Sequence, residues 1–218
     1  MEKKKQADLN TRERILEAAG EVFAEHGFRY ATVREICRKA SVNIAAVNYY
    51  FRDKENLYLS VLKYCRDAAF QKYPLNLRMD DRKTPEEHLR GFIESFLLRV
   101  LEKGQPTWFW KLVAKEYTEP TNALDMLVEE TIRPTFKFLS SVVKRIIGRP
   151  VSEETLRLCC LSVVSQCLFF LYAKSVIKRL FHQDAFSTDK IHAMADHIAS
   201  FSIEAIRSFA KKSKGVKR

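Results

Sequence analysis

The sequence predicts an all-α protein in which an N-terminal segment of short helices precedes a longer helical region. Glycine and proline each occur six times in 218 residues, so few turn formers interrupt the chain. Every long segment repeats its apolar residues at helical spacing, and residues 158–173 carry no charge. These three observations argue against a sizeable sheet.

The first predicted helix runs from about residue 10 to Gly27, where glycine favours a helix end. Residues 32–51 then predict two short helices joined by the three-residue turn 41–43. Thr32 and Glu35 have the spacing of a capping box, which would start the first of them. So short a turn pushes one side of the second helix outward, and that side carries small, polar and aromatic residues. Short side chains let a helix enter the major groove of DNA, so this segment predicts a helix-turn-helix.

Asp53 is the expected cap of a fourth helix, which has Lys54 in its first turn. A lysine there opposes the helix dipole, and a DNA phosphate would compensate it. The predicted DNA contacts are therefore Thr32, Arg34, Asn43, Ala45, Ala46, Asn48, Tyr49, Tyr50 and Lys54.

Residues from about 10 to about 62 resemble the DNA-binding domain of the TetR/AcrR family of bacterial repressors. The resemblance rests on the Ile-Leu-Glu-Ala-Ala segment at 15–19 with Phe23 and Gly27, and on the segments 32–36, 47–51 and 54–57. It implies that Thr32, Tyr49 and Lys54 hold phosphates while the second short helix touches bases. Ser41, where a glycine is common, and Asn48, where a tyrosine is common, depart from the usual pattern. Asn48 before Tyr49 resembles the CecR-like subset.

The later helices are marked by caps and breakers. Thr84, Pro85 and Glu87 predict a capped helix to about Gly104, and a short helix follows from Pro106 to about Thr118. A long helix is expected over 122–148, with a kink or break at Pro134. Ser152 and Thr188 are the expected caps of the last two helices, over 152–180 and 188–212.

The uncharged stretch 158–173 must be covered on every side. It is shorter than the roughly 20 residues of a membrane span, so we expect one face to pack on its own domain and the other on a second copy. Two helices from each subunit would then form a four-helix bundle, as TetR-like proteins do. The predicted homodimer residues are Leu161, Val164, Leu168, Leu171, Ile198, Phe201, Ile206 and Phe209.

The predicted domains are a basic arm (1–9), the DNA-binding domain (10–66), a regulatory and dimerisation domain (67–212) and a basic tail (213–218). The net charge of +11 is concentrated in the DNA-binding segment and the two tails, which suits binding to DNA. Met1 to Leu9 is charged rather than apolar, so no signal peptide is predicted and a cytoplasmic location is expected.

The resemblance implies a repressor that leaves a pseudo-palindromic operator when a small ligand binds the C-terminal domain. An aromatic lining with a few polar groups is one interpretation, although core or interface packing is the more common role of such aromatic residues. The candidate pocket residues are Trp108, Trp110, Lys111, Tyr117, Arg133, Phe136, Gln166, Phe169 and Phe170. Glu116 suits either a ligand-orienting or a structural role.

Enzyme motifs are missing from the sequence, and no cofactor or metal is expected. Asp189, His192 and Asp196 share a helix face, which is more typical of surface charge than of a metal site. The five cysteines do not have the spacing of metal ligands, and their positions on apolar helix faces predict reduced, buried thiols. A redox sensor is the less favoured alternative. A helical scaffold or membrane-associated protein without sequence-specific DNA binding remains the alternative function.

Overall fold

The computed structural model describes residues 2–75, 77, 80, 82–102, 107–181 and 186–211, and they contain helices but no strand. The predicted basic tail and Pro106 lie outside these residues. The helices are α1 (Glu2–Tyr30), α2 (Val33–Ala40), α3 (Ile44–Phe51), α4 (Lys54–Lys72), α5 (Pro85–Leu101), α6 (Thr107–Thr118), α7 (Ala123–Leu127), α8 (Arg133–Ile147), α9 (Glu153–Tyr172), α10 (Lys174–Phe181) and α11 (Thr188–Lys211), with a π-helical turn at Val128–Ile132. The all-α prediction is confirmed.

The chain forms two compact units, one of residues 1–69 and 104–130 and the other of residues 70–103 and 131–218. The division inside α4 lies near the predicted boundary at 66/67. Residues 107–130, which the prediction assigned to the C-terminal domain, instead pack with the first unit. Residues 2–9, predicted as an arm, are the first turns of α1.

The first unit is built around α1, which packs against both α2 and α6. Ile15, Leu16 and Phe23 of α1 are fully buried, as is Leu112 of α6. A Cβ atom at Gly20 would overlap the ring of Trp108, so the glycine is what lets this ring lie against the α1 backbone. Trp108 is therefore core of the first unit rather than an open pocket wall.

Caps and breaks largely follow the predicted signals. Thr84 and Glu87 form the expected reciprocal capping box, and Ser152 caps α9. Gly27 breaks α1 with φ 76°, although one more turn follows it. At Thr32 only half of the predicted box forms: its Oγ1 accepts from the Glu35 amide, while the Glu35 carboxylate lies 3.1 Å from Nε2 of His26.

The predicted long helices are interrupted twice. The π-helical turn Val128–Ile132 ends immediately before Arg133 and Pro134, so the expected break occurs where proline enters the helix. The helix expected over 152–180 is broken at Ala173 into α9 and α10. Thr188 is the first residue of α11 rather than its cap, because the Ile191 amide donates to the carbonyl of Ser187.

In the second unit α5 is central and packs against α8, α9 and α11. Arg99 of α5 is buried; its Nη1 donates to the carbonyl of Tyr73 (2.5 Å) and to Oγ of Ser95 (2.6 Å), and its guanidinium lies over Phe70. Burial lowers the pKa of Arg99 to about 10, which still leaves it charged at neutral pH. These bonds tie the chain after α4 to α5.

All five cysteines are buried free thiols. Burial raises the pKa of Cys65, Cys160 and Cys167 to about 12. A protonated, covered thiol is a poor nucleophile, so these side chains behave as small core residues.

We expect Gly20→Ala to reduce the free energy of unfolding by about 1–2 kcal/mol, because overpacking against Trp108 outweighs the gain in helix propensity. In a Trp108→Leu background the same substitution should become stabilising. Urea denaturation of the wild type, the two single variants and the double variant measures these free energies of unfolding. Stabilisation by Gly20→Ala alone would contradict the observed approach of Trp108.

At pH 8 the native thiols of Cys160 and Cys167 should react with a disulfide reagent far more slowly than the same thiols in urea. A pKa of about 12 instead of 9.0 lowers the thiolate fraction about a thousandfold. Colorimetric thiol titration of the two states makes the comparison. Fast release of colour by folded protein would support the redox-sensor alternative.

Candidate nucleic-acid interface

The predicted two-helix motif is present as α2, a three-residue turn and α3. Ser41 closes α2 in the left-handed conformation (φ 53°), and the Val42 amide donates to the carbonyl of Cys37 at 3.0 Å. Ser41 thus adopts the conformation for which glycine is the usual residue. The turn is made with a serine.

Two arginines of α1 hold the motif in place. Arg14 donates to the carbonyls of Ala40 (2.9 Å) and Ser41 (3.3 Å) at the turn. Arg12 lies over the ring of Phe51 at the end of α3, with 5.4 Å between guanidinium carbon and ring centre. The orientation of α3 therefore depends on α1 at both ends.

The outward side of α3 carries Asn43, Ala45, Asn48 and Tyr49, all exposed; Tyr49 is 76% exposed. Ala46 and Tyr50, also predicted as DNA contacts, instead are partly buried and pack against the core of the first unit. The helical period explains this difference, because these two positions turn toward the side of buried Val47. Exposed Ile44 was not among the predicted residues.

Thr32 and Asn43 keep hydrogen-bond donors after capping their helices. Oγ1 of Thr32 accepts from the Glu35 amide and Oδ1 of Asn43 accepts from the Ala46 amide. The Thr32 hydroxyl and the Asn43 amino group can therefore still donate to phosphate or base oxygens. Arg34 is exposed on α2.

Lys54 has a partner inside the first unit. Its Nζ donates to the carbonyl of Arg29 (3.2 Å) and lies 4.8 Å from the ring centre of Phe28. Partial burial lowers its pKa. The carbonyl at the end of α1 thus supplies a compensating contact for this first-turn lysine, whereas the sequence suggested a phosphate. Its other two N–H groups remain able to donate to an anion.

A buried carboxylate joins α4 to α6 within this unit. Glu116 is 1% exposed and accepts from the Tyr58 hydroxyl (2.7 Å) and from the amide and hydroxyl of Thr121. The pKa of Tyr58 is raised mainly by burial and in smaller part by the contact with Glu116. Glu116 therefore has a structural role, one of its two predicted alternatives.

The remaining pocket candidates fall in both units. Trp110 is partly buried against the first core, and Lys111 and Tyr117 are exposed on α6. In the second unit Phe136 lines a shallow cavity of about 350 Å³ with Glu153, Glu154, Leu156 and Arg157. Arg133 and Phe169 are exposed there, Phe170 is partly buried, and Gln166 donates to Oγ of Ser202.

An apolar groove of about 260 Å³ runs between α9 and α11. Of the predicted homodimer residues, Leu161 and Phe201 are exposed, and Val164, Leu168, Leu171 and Phe209 are partly buried. Ile206 is only 2% exposed but lines the groove. Ile198 is 2% exposed and packs inside its own subunit instead. Leu158, Phe169 and Tyr172 are exposed apolar residues of α9 that the homodimer prediction did not include.

By length and composition, α9 is the one described helix that could cross a membrane, and 28% of its apolar window is buried. Two of the three side chains on the predicted charged face of α11 have protein partners: His192 pairs with Glu94, and Asp196 pairs with Arg90. Among the residues that the structure describes, no His, Cys, Asp or Glu cluster could hold a metal ion.

Two family models match the chain. Residues 15–61 match the model of bacterial regulatory proteins of the tetR family. Residues 85–206 match the C-terminal domain of the HTH-type transcriptional dual regulator CecR. The first match covers the motif α2–α3, and the second extends from α5 into α11.

Relatives found by sequence agree with the models. The chain is 26% identical to the CecR regulator of Shigella flexneri over 82% of this chain and 83% of the relative. It is 39% identical to the repressor NicS of Pseudomonas putida over 40% of each chain.

Two solved structures share the fold. AibR in complex with isovaleryl coenzyme A and operator DNA has a TM-score of 0.66 at 15% identity, covering 88% of this chain and 97% of that one. The regulator PfmR from Thermus thermophilus has a TM-score of 0.62 at 17% identity, covering 95% and 97%. The chain belongs to the TetR family of bacterial transcriptional regulators, and its C-terminal region is similar to the C-terminal domain of the CecR regulator.

Proposed function

We propose that this protein is a cytoplasmic homodimeric repressor that binds a pseudo-palindromic operator and is released by a small ligand. The exposed face of α3 carries the proposal: Asn43, Ala45, Asn48 and Tyr49 face outward on a helix fixed by a cap and by two arginines of α1. A rigid helix with short side chains is what base reading in the major groove requires.

Each side chain of this face suits a different part of the duplex. The Asn48 amide can pair with an adenine edge, and the Ala45 methyl can contact a thymine methyl. Thr32, Arg34, Asn43, Tyr49 and Lys54 have donors suited to phosphate oxygens, which fix the register of the helix.

A second copy suits the groove between α9 and α11. The exposed Leu158, Leu161, Phe169, Tyr172 and Phe201 would otherwise leave a large apolar surface in water. A two-fold axis through this surface pairs two α3 helices, which read half-sites roughly 34–36 Å apart or a multiple of that distance.

Ligand release requires the ligand to prefer a state in which the two α3 helices no longer match the half-sites. In the first unit, Tyr58 and Glu116 fix α4 to α6, so displacement of either helix would be felt by the other. AibR was solved with isovaleryl coenzyme A, so short acyl thioesters are the first class to screen.

Selection of bound fragments from sheared genomic DNA of the source organism, at about physiological salt, tests the proposal. Recovery of one or a few palindromic sites is the expected result. Folded, ligand-free protein that enriches nothing would favour the scaffold alternative.

Asn48→Ala should change the base preference at one operator position and cost about 1–3 kcal/mol in operator binding, while binding to arbitrary duplex is retained. Competition binding with single-base operator variants measures this. Equal losses on operator and arbitrary duplex would contradict base reading by Asn48. Lys54→Ala, by contrast, should weaken all duplexes alike.

Phe201→Glu should place a charge in the self-association surface and convert the dimer into monomers with much weaker operator binding. Sedimentation equilibrium and operator titration report the two effects. Thr118→Glu, an exposed position on α6, is the matched control and should stay dimeric. A dimeric Phe201→Glu protein would place the interface elsewhere.

A further inference from the structure

Arg52 occupies a strained turn between α3 and α4. Its backbone has φ 66° and ψ −56°, and the Asp53 amide donates to the carbonyl of Phe51 at 2.8 Å. This pattern is a γ-turn with positive φ, a rare and unfavourable conformation for a residue with a side chain. Glycine would adopt it at lower cost.

The side chain of Arg52 has one electrostatic neighbour, the carboxylate of Asp53, whose pKa is lowered mainly by the hydrogen bond from the Asn56 amide and in smaller part by this guanidinium. Arg52 is exposed, and within the described part of the chain it forms no hydrogen bond or ion pair. Strain of this kind persists where the surrounding structure imposes it and is concentrated at functional sites. The position would be better filled by glycine if only the turn mattered.

The position of Arg52 continues the DNA-facing side of α3. Its amide donates to the carbonyl of Asn48 at 3.0 Å, which places it one helical turn beyond that residue. Asn48 and Tyr49 are both exposed on the preceding turn. A long cation at the end of this face would extend beyond the base-reading residues.

Most other cations of residues 9–69 have at least one partner within the unit. Arg12 and Lys54 lie over rings, Arg14 binds carbonyls, and Lys39 pairs with Glu21. Lys63 and Arg66 both pair with Glu130. Arg29, Arg34, Arg38 and Arg52 are the exposed arginines that remain available to an external anion.

We propose that Arg52 is a further DNA-backbone contact, which the γ-turn orients toward a phosphate next to the groove that α3 enters. This inference rests on the proposed function and adds a contact to the same interface. The turn fixes the start of the side chain, so less freedom is lost when the guanidinium binds phosphate.

The test compares full-length wild type with Arg52→Gly, Arg52→Ala and Arg52→Lys on a labelled short duplex of arbitrary sequence, titrated at several KCl concentrations. Arg52→Gly and Arg52→Ala should both bind several-fold more weakly, with a log–log salt slope smaller by about one. Arg52→Lys should keep the wild-type slope. Lys178→Ala, which removes an exposed charge from α10, is the matched control and should also keep it.

Thermal unfolding distinguishes the loss of a DNA contact from the relief of backbone strain at position 52. Arg52→Gly should unfold at a higher temperature than wild type while binding DNA more weakly, because glycine relieves the positive φ but removes the cation. A wild-type salt slope in Arg52→Gly, or a reduced slope in Arg52→Ala alone, would overturn the assignment. Wild-type protein that binds no duplex would overturn the proposed function as well.

Discussion

The close approach of Trp108 to α1 at Gly20 is the contact on which the first unit depends. Because position 20 has no side chain, α6 packs directly on the α1 backbone, and Leu112 joins the same core. Glu116, one turn after Leu112, then reaches Tyr58 of α4. The unit that presents α3 therefore includes a helix far from it in sequence, and its helices are mutually constrained by one apolar core and one buried carboxylate.

The interface combines rigid positioning with unused hydrogen-bond donors. Thr32 and Asn43 use one oxygen each to cap a helix and keep donors for a partner. Arg14 donates to carbonyls at the turn, so the backbone rather than DNA is its partner. A count of basic residues thus overstates the charge available for phosphates, because several cations stabilise the unit that carries the reading helix.

The local elements followed from the sequence because their causes are local. Caps at Asp53, Thr84 and Ser152 depend on side chains three residues from their acceptors or donors, and Pro134 breaks a helix through its own ring. Thr32 shows the limit of this reasoning. Glu35 could close the box or pair with another residue, and His26, nine residues earlier, competes for its carboxylate.

The sequence by itself determined the helical class, the approximate position of most helices, the two-helix motif and its small outward face, since these depend on periodicity and short-range hydrogen bonds. Tertiary structure decided which residues of that face turn inward, as Ala46 and Tyr50 do, and that Ile198 is internal while Leu158 is exposed. It also assigned Lys54 to the end of α1 and Trp108 to the first core. These outcomes depend on contacts between segments distant in the chain, where close packing selects one partner among several of similar chemistry.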